Sequence, residues 1–187
     1  MDREDRPGEA DDHRDLRRLL TARKFAVDAV RVTGRSGAEL EREVVVHPGA
    51  VVVLPLREDG RVVMLRSRRF AVDETLWELP AGTLEPGEAP ASCAARELQE
   101  ETGYTAARLE PLHAFFTTPG FCSERMHAFV AAGARPLGRQ ALGETERVEV
   151  ELVSPARLDE LLARGDIVDG KTLVTLLLWR HLHAPAR

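Results

Sequence analysis

The stretch from Gly82 to Tyr104 constrains this chain more than any other part of its sequence. It opens with a segment rich in Gly, Pro and Glu and continues from Pro90 as Pro-Ala-Ser-Cys-Ala-Ala-Arg-Glu-Leu-Gln-Glu-Glu. Proline suits the first turn of a helix and glycine suits its C-terminal end. The pattern therefore predicts a long turn followed by a helix that begins at Pro90, reaches position 101 or 102 and stops at Gly103.

Three glutamates of this predicted helix share one face. Glu97, Glu100 and Glu101 have the spacing i, i+3 and i+4, which brings their side chains together on the helix surface. Their carboxylates repel one another and lie in the C-terminal half, where the helix dipole disfavours anions. A divalent cation would offset that repulsion, and oxygen ligands with no nearby His or Cys favour Mg²⁺ or Mn²⁺ over zinc. The alternative is a solvated acidic face, which is the commoner explanation of a Glu-rich stretch taken alone.

The rest of the chain has the pattern of strands with helices inserted between them. Alternating apolar residues and short apolar runs bounded by turns predict the strands. Helices are predicted over 155–163, after a Ser-Pro cap, and over about 171–181. The predicted strands span 24–33, 40–47, 50–56, 61–66, 74–79, 107–117, 125–132 and 148–153. The order of these elements indicates an α+β fold.

The sequence divides into three parts. Residues 1–23 are crowded with Asp, Glu and Arg, which predicts a charged, disordered tail. Residues 24–46 are predicted to form an N-terminal β-hairpin, which is too small to be stable alone. Residues 47–183 are predicted to form the main domain, with a long turn over 80–89 and an open loop over 133–146.

The composition excludes several classes of protein. Apolar residues make up 43% and charged residues 30% of the chain, as in a globular domain with an ordinary core. The net charge of −5 argues against a general affinity for nucleic acid. The charged N-terminus is unlike a secretory signal, and no apolar run has the length of a membrane span. Two cysteines are too few for a disulfide framework, so we expect a cytoplasmic protein without nucleic-acid or membrane partners.

The stretch from Gly82 to Tyr104 resembles the Nudix box, Gly-x5-Glu-x7-Arg-Glu-U-x-Glu-Glu-x-Gly-U, in which U is a bulky apolar residue. Every defined position of the motif is matched, with Leu98 and Tyr104 at the apolar positions. The resemblance implies a Nudix α/β/α sandwich, with a mixed β-sheet between helices and the hairpin added at the N-terminus. The matched polar and glycine positions are Gly82, Glu88, Arg96, Glu97, Glu100, Glu101 and Gly103.

The resemblance also implies a metal-binding role for part of the box. Glu97 and Glu101, one helical turn apart, are the foremost predicted ligands of Mg²⁺ or Mn²⁺. Glu100 follows closely, as a ligand or a catalytic residue. The residue before the box glycine, Ala81, is implied to bind the metal through its backbone carbonyl.

Four further box residues are expected to support the site. Glu88 and Arg96 are implied to form a pair that braces the loop against the helix. Gly82 is expected to allow a tight turn, and Gly103 is expected to form the helix C-cap.

Residues outside the box resemble the ADP-ribose pyrophosphatase branch of the Nudix superfamily. They are the run from Glu74 to Gly82, a proline at position 119, sixteen residues (119 − 103) beyond the last box glycine, and the stretch from Gly165 to Leu173. The resemblance implies Mg²⁺-dependent hydrolysis of ADP-ribose to AMP and ribose 5-phosphate. The alternatives are a nucleotide-sugar pyrophosphatase acting on GDP-mannose or ADP-glucose, and a non-catalytic nucleotide-binding Nudix regulator. Such regulators usually lose a box glutamate, whereas this chain keeps all of them.

Several residues are predicted to contact the substrate. Where the family often has an Arg-Gln-Tyr-Arg-like run, this chain has Arg-Ser-Arg-Arg-Phe from position 66. Guanidinium groups match phosphate oxygens, so Arg66 and Arg69 are predicted to bind a phosphate or the terminal ribose, with exposed strand-end charge as the alternative. Trp77 is a candidate for stacking on the base, with a core position as the alternative. The other predicted contacts are Glu78, Pro119, Ser123 and Glu124.

A general base and a dimer complete the expectations. The resemblance implies a glutamate base on the loop after the strand near Val130, where Glu144 and Glu146 are the candidates and a plain surface loop is the alternative. The branch commonly forms dimers by exchange of N-terminal strands, which would support the hairpin at 24–46. We therefore expect a homodimer that binds a small nucleoside diphosphate substrate.

Overall fold

The computed structural model describes residues 16–144 and 147–183, which fall into two compact units. The first unit contains the described residues up to His47 together with Thr118–Ser123. The second contains Pro48–Thr117 and the described residues from Glu124 onward. Residues 1–15, within the predicted tail, lie outside the described residues.

The elements follow the predicted order closely. The strands of the first unit are β1 (Leu16–Thr21), β2 (Ala26–Thr33) and β3 (Glu39–Val46). The strands of the second unit are β4 (Ala50–Leu56), β5 (Val62–Arg69), β6 (Glu74–Glu78), β7 (Ala81–Thr83), β8 (Tyr104–Thr105), β9 (Arg108–Phe116), β10 (Arg125–Ala132), β11 (Arg135–Pro136) and β12 (Val148–Val153). Its helices are α1 (Pro90–Thr102), α2 (Pro155–Arg164) and α3 (Gly170–His183).

The first unit is built on an antiparallel sheet in the order β1-β2-β3, in which β2 and β3 form the predicted hairpin. The third strand, β1, lies within the segment predicted as a disordered tail, so that prediction is wrong for residues 16–21. Charged residues are compatible with a strand here because Arg18 pairs with the buried Asp28 of β2. Arg17 pairs with Glu41 of β3 as well.

The second unit contains a mixed β-sheet, as predicted. Its strands follow the order β12-β5-β4-β10-β9, with β6 paired to β5 and β7 paired to β4. Strand β10 runs parallel to β4, while the other pairs are antiparallel. Two short strands lie where only turns were expected: β7 within the predicted turn 80–89, and β11, which pairs with β8, within the predicted loop 133–146.

Helices cover both faces of this sheet, which confirms the α/β/α arrangement. Strand β4 shows it most directly, because successive side chains of a strand point to opposite faces. Val51 and Val53 belong to a buried cluster that includes Cys93, Ala94 and Leu98 of α1. Val52 and Leu54 belong to a second cluster, which includes Leu158 and Leu161 of α2 and Leu176 of α3.

The ends of the helices match the signals in the sequence. Pro90 stands in the first turn of α1, and Gly103 ends it with φ 72°, in the left-handed region that glycine accepts without strain. The Ser154 hydroxyl caps α2 by accepting a hydrogen bond from the Arg157 N–H. Within residues 16–144 and 147–183, no helix is long and apolar enough to cross a bilayer.

Candidate active site

Two of the acidic residues of α1 converge on strand β7. The Glu101 side chain is largely buried, and its Oε2 accepts a hydrogen bond of 2.9 Å from the Ala81 N–H. The Glu97 carboxylate lies directly over Gly82, because a Cβ added to Gly82 would stand 1.9 Å from Glu97 Cδ and Oε1. The two foremost predicted metal ligands, one turn apart on the helix, thus contact consecutive residues of one strand.

The close approach of Glu97 explains why position 82 is a glycine. The expected tight turn at Gly82 is wrong, since this residue lies in β7 and pairs with Val51 of β4. Any larger residue would overlap the Glu97 carboxylate. The glycine therefore makes room for an acidic side chain rather than for a special backbone conformation.

Arg96 joins the carboxylates of Glu97 and Glu100. Its Nη1 donates to Glu97 Oε1 at 2.7 Å and to Glu100 Oε2 at 3.0 Å. Glu100 is the most exposed of the three box glutamates on this face, with 42% of its side chain accessible. Among the residues that the structure describes, no three His, Cys, Asp or Glu side chains are grouped closely enough to form a metal site by themselves.

The remaining nitrogens of Arg96 form the expected pair with Glu88. Nε donates to Glu88 Oε1 at 2.9 Å and Nη2 donates to Oε2 at 3.0 Å, which is a bidentate ion pair between the loop and the helix. Glu88 also accepts a hydrogen bond from the Glu85 N–H, within the same loop. The Arg96 guanidinium, followed by the Glu85 N–H, lowers the pKa of Glu88 to about 2. Glu88 in turn raises the pKa of Arg96, so both groups are charged near neutral pH.

The loop predicted to carry the base is bonded to the C-terminal end of α1. The Ala141 N–H donates to the Glu100 carbonyl at 2.8 Å, and the Gln140 side-chain amide donates to the Glu101 carbonyl at 2.6 Å. The carbonyl of Gly103 accepts from this loop too, through the Leu137 N–H at 2.8 Å. These bonds satisfy carbonyls that a helix end leaves without intrahelical partners.

Of the two candidate bases, the structure describes only Glu144. Glu144 is exposed and lies in a turn, three positions after the anchored Ala141. Glu146 lies outside the described residues. Gln140, which bonds the backbone of a predicted metal ligand, was not predicted, because a glutamine in a polar loop carries no signal in the sequence.

Arg69 of β5 and Glu78 of β6 form an ion pair within the second unit. Arg69 Nε donates to Glu78 Oε1 at 2.7 Å and Nη2 donates to Oε2 at 2.5 Å. The Glu78 side chain is only 1% exposed, so the predicted direct contact with substrate is replaced by a role inside the protein. Hydrogen bonding to Glu78 raises the pKa of Arg69, which therefore stays cationic.

Lys171 and Asp169 extend this pair and were not predicted as functional. Lys171 Nζ donates to Glu78 Oε2 at 2.7 Å and to Asp169 Oδ1 at 2.8 Å. The Glu78 carboxylate is buried and therefore requires cationic partners, but its burial is not visible in the mixed sequence of β6. Lys171 was not recognisable as the partner because it lies 93 positions from Glu78 along the chain.

Arg66 lies over the indole ring of Trp77, at 4.6 Å from the guanidinium carbon to the ring centroid. Trp77 is half-buried and packs against the core cluster of the second unit, which favours the core position over base stacking. A cation is attracted to the face of an aromatic ring, so this contact holds the Arg66 guanidinium beside Trp77. The proposed phosphate contact of Arg66 therefore stays a prediction.

The other predicted substrate contacts are divided between the two units. Pro119 and Ser123 belong to the first unit, where the Ser123 hydroxyl accepts a hydrogen bond from the His47 N–H at 3.0 Å. Glu124 belongs to the second unit, where its Oε2 accepts from the Thr117 hydroxyl at 2.7 Å. Their contact with substrate stays a prediction.

Comparison with known proteins agrees with the architecture. A NUDIX domain family model matches residues 46–176. The ADP-ribose pyrophosphatase of Bacillus subtilis (strain 168) is 42% identical over 138 residues, covering 73% of this chain and 75% of that protein. The methanol dehydrogenase activator of Bacillus methanolicus is 37% identical over 155 residues, covering 82% of each. The crystal structure of an ADP compounds hydrolase has a TM-score of 0.77 at 24% identity, covering 90% of this chain and 91% of that one, so the fold is shared.

Proposed function

The chain belongs to the Nudix hydrolase family, and from that premise we propose that it hydrolyses the diphosphate linkage of ADP-ribose to AMP and ribose 5-phosphate. The observation that carries the proposal is the convergence of Glu97 and Glu101 on consecutive residues of β7. A relative named ADP-ribose pyrophosphatase at 42% identity supports the choice of substrate.

Mg²⁺ or Mn²⁺ is the proposed cofactor. Glu97 and Glu101 would hold it, with Glu100 and the Ala81 carbonyl completing a set of oxygen donors that suits these ions. Gly82 has no side chain, which lets the Glu97 carboxylate approach β7, and this close approach fits the assignment. When bound, the ion supplies charge neutralisation on the diphosphate oxygens and a more acidic water. Arg96 offsets the repulsion between Glu97 and Glu100 in the protein itself.

The other roles fall to residues around this helix. Arg69, fixed by Glu78, binds a phosphate of the substrate, and Arg66 over Trp77 contacts a phosphate or the terminal ribose. Glu144 takes the proton of the attacking water, with Glu146 as the second candidate base. Glu124 of the second unit is a further proposed substrate contact, and contacts by Pro119 and Ser123 of the first unit are a separate prediction.

The decisive experiment is a substrate panel with Mg²⁺, in which products are separated by chromatography. We expect AMP and ribose 5-phosphate from ADP-ribose, with lower kcat/KM for GDP-mannose and ADP-glucose. A higher kcat/KM for GDP-mannose or ADP-glucose than for ADP-ribose would make that nucleotide sugar the proposed substrate instead. Nucleotide binding without any product would favour the non-catalytic regulator.

The metal assignment has a test that needs no turnover. Binding of Mn²⁺ to the full chain is followed by electron paramagnetic resonance, for wild type and for Glu101→Gln. The variant keeps the size of the side chain and loses its charge, so we expect Mn²⁺ affinity to fall by about tenfold to a hundredfold. Equal affinity in the two proteins would refute the ligand role of Glu101.

A homodimer in the cytoplasm is the proposed state of the protein. The sheet of the first unit exposes large apolar side chains, which an exchanged partner strand would cover. These side chains are Leu16, Leu19, Leu20, Val32, Leu40 and Val46. Removal of residues 1–46 is expected to yield monomers or insoluble protein in size-exclusion chromatography. A well-behaved, active dimer of the shortened chain would contradict the exchange.

Both cysteines are free thiols, which supports a reducing compartment.

A further inference from the structure

Two cations share one buried carboxylate in the second unit. The Glu78 side chain is 1% exposed, and its Oε2 accepts hydrogen bonds from both Arg69 Nη2 at 2.5 Å and Lys171 Nζ at 2.7 Å. Arg69 alone would neutralise this carboxylate, so the second cation needs a separate explanation. The two cations come from different elements, β5 and α3, and meet at the end of β6.

Lys171 is itself held in place at the start of α3. Its ammonium group donates to Asp169 Oδ1 at 2.8 Å, while Asp169 Oδ2 caps the helix by accepting from the Thr172 N–H at 3.0 Å. The buried Thr172 hydroxyl accepts a hydrogen bond of 2.9 Å from the Leu79 N–H, next to Glu78. The helix end therefore presents Lys171 to Glu78 from a rigid frame.

The four charged groups alternate in sign in the order Asp169, Lys171, Glu78 and Arg69. The side chain of Arg69 is the most exposed of the four. Asp169 and Lys171 are 16% and 14% exposed, whereas 46% of the Arg69 side chain is accessible. Glu78 uses Nε and Nη2 of Arg69, and Nη1 has no hydrogen-bond partner among residues 16–144 and 147–183. Hydrogen bonding to Glu78 is the largest cause that raises the pKa of Arg69, and the negative charge of Glu101 acts in the same direction.

We propose that Lys171 is a positioning residue for diphosphate hydrolysis: it fixes the Glu78 carboxylate from the α3 side, so that Arg69 presents Nη1 to a phosphate of the substrate. The inference rests on the proposed function of the site. Without Lys171, the Glu78 carboxylate would lose its hydrogen bond from the α3 side and keep only those from Arg69, so the side chain could turn into the space that the lysine leaves. A Glu78 carboxylate that is free to turn holds the Arg69 guanidinium in a less defined position, so Nη1 is presented to the phosphate less often.

The test is a double-mutant cycle on binding of ADP, measured by calorimetry with the full chain and EDTA present. We expect Lys171→Met and Arg69→Met each to weaken ADP binding by about tenfold or more, as for loss of a charged hydrogen bond. The double variant is expected to bind ADP as Arg69→Met does, since Lys171 acts only through Arg69. With ADP-ribose as substrate, Lys171→Met raises KM by a similar factor and changes kcat by less than about threefold.

Two further variants separate positioning from charge and from folding. Lys171→Arg keeps a cationic donor and is expected to bind ADP within about threefold of wild type. Arg180→Met removes a positive charge from the same helix, where Arg180 pairs with the exposed Asp159, and should leave ADP binding unchanged. If circular dichroism shows that Lys171→Met does not fold, Lys171→Gln takes its place in the cycle.

The outcomes distinguish this inference from the proposed function. Wild-type affinity in Lys171→Met, a further loss in the double variant, or no ADP binding by wild type would each overturn the positioning role. Loss of ADP binding in the cycle as expected, with no hydrolysis of ADP-ribose by wild type, would retain the role of Lys171 in positioning Arg69 for phosphate binding and remove the proposed activity.

Discussion

Replacement of Gly82 by alanine tests the geometry of the acidic site directly. The new Cβ would stand 1.9 Å from the Glu97 carboxylate, where ordinary contacts begin at 3.4 Å. The difference, 3.4 − 1.9 = 1.5 Å, is the distance by which the methyl group and the carboxylate must separate. Since β7 is hydrogen-bonded to β4, we expect the Glu97 side chain to move rather than the strand.

That displacement has two measurable consequences. Misplacement of a catalytic group by about 1 Å costs roughly a hundredfold in rate, so we expect Gly82→Ala to lower kcat by about a hundredfold or more. Overpacking of a close contact costs about 1–3 kcal/mol of unfolding free energy. For a chain of this size that corresponds to a fall in Tm of about 2–12 °C.

The assay combines turnover of ADP-ribose with thermal unfolding in a double-mutant cycle. Glu97→Ala removes the carboxylate that would meet the new methyl group, so Gly82→Ala should destabilise wild type but have little effect in the Glu97→Ala background. Gly170→Ala is the matched control, because a Cβ there meets no atom within 4 Å. Equal destabilisation in both backgrounds, or normal kcat in Gly82→Ala, would refute the reasoning.

Two further predictions concern the loop base and the pH dependence of stability. Glu144→Gln and Glu146→Gln, made singly, should identify one base by a fall in kcat with KM retained, and normal kcat in both would place the base elsewhere. The pKa of Glu88 is about 2 in the folded protein against an ordinary value of 4.5, so its pair with Arg96 stabilises the fold above about pH 4.5 and loses that effect as the pH falls toward 2. In urea unfolding, the stability difference between wild type and Glu88→Gln should accordingly be constant from about pH 7 to 5 and shrink at lower pH. A constant difference down to pH 3 would contradict the low pKa.

Signals that lie close together in the sequence predicted most of the fold. The boundaries of α1 follow from Pro90 and Gly103, each of which acts on the backbone within one turn. The buried run of β4 and the cap at Ser154 are equally local. Strand β1 was missed because an edge strand with exposed arginines has the composition of a solvated tail, and its pairing with Asp28 depends on the folded hairpin.

The helical spacing predicted which acidic residues of the site share a face, but not which residues they contact. Spacing placed Glu97 and Glu101 on one face, but it contained nothing about the strand that they meet, so the reason for a glycine at position 82 was misassigned. The cation that accompanies Glu78 could not be found either, since the fold brings Lys171 to it across 93 positions of chain. Contacts of this kind are created by topology and not by local propensity.

The anchored loop limits where a base can act. The Ala141 N–H and the Gln140 amide bond the carbonyls of the same residues, Glu100 and Glu101, whose carboxylates belong to the acidic face. The proposed metal ligands and the start of the base-bearing segment therefore share one rigid helix end. An extended chain covers about 3.3–3.6 Å per residue, so the Cα of Glu144 lies at most about 11 Å from that of Ala141. This short tether limits the distance of Glu144 from the helix that carries Glu97 and Glu101, which supports Glu144 as the proposed base.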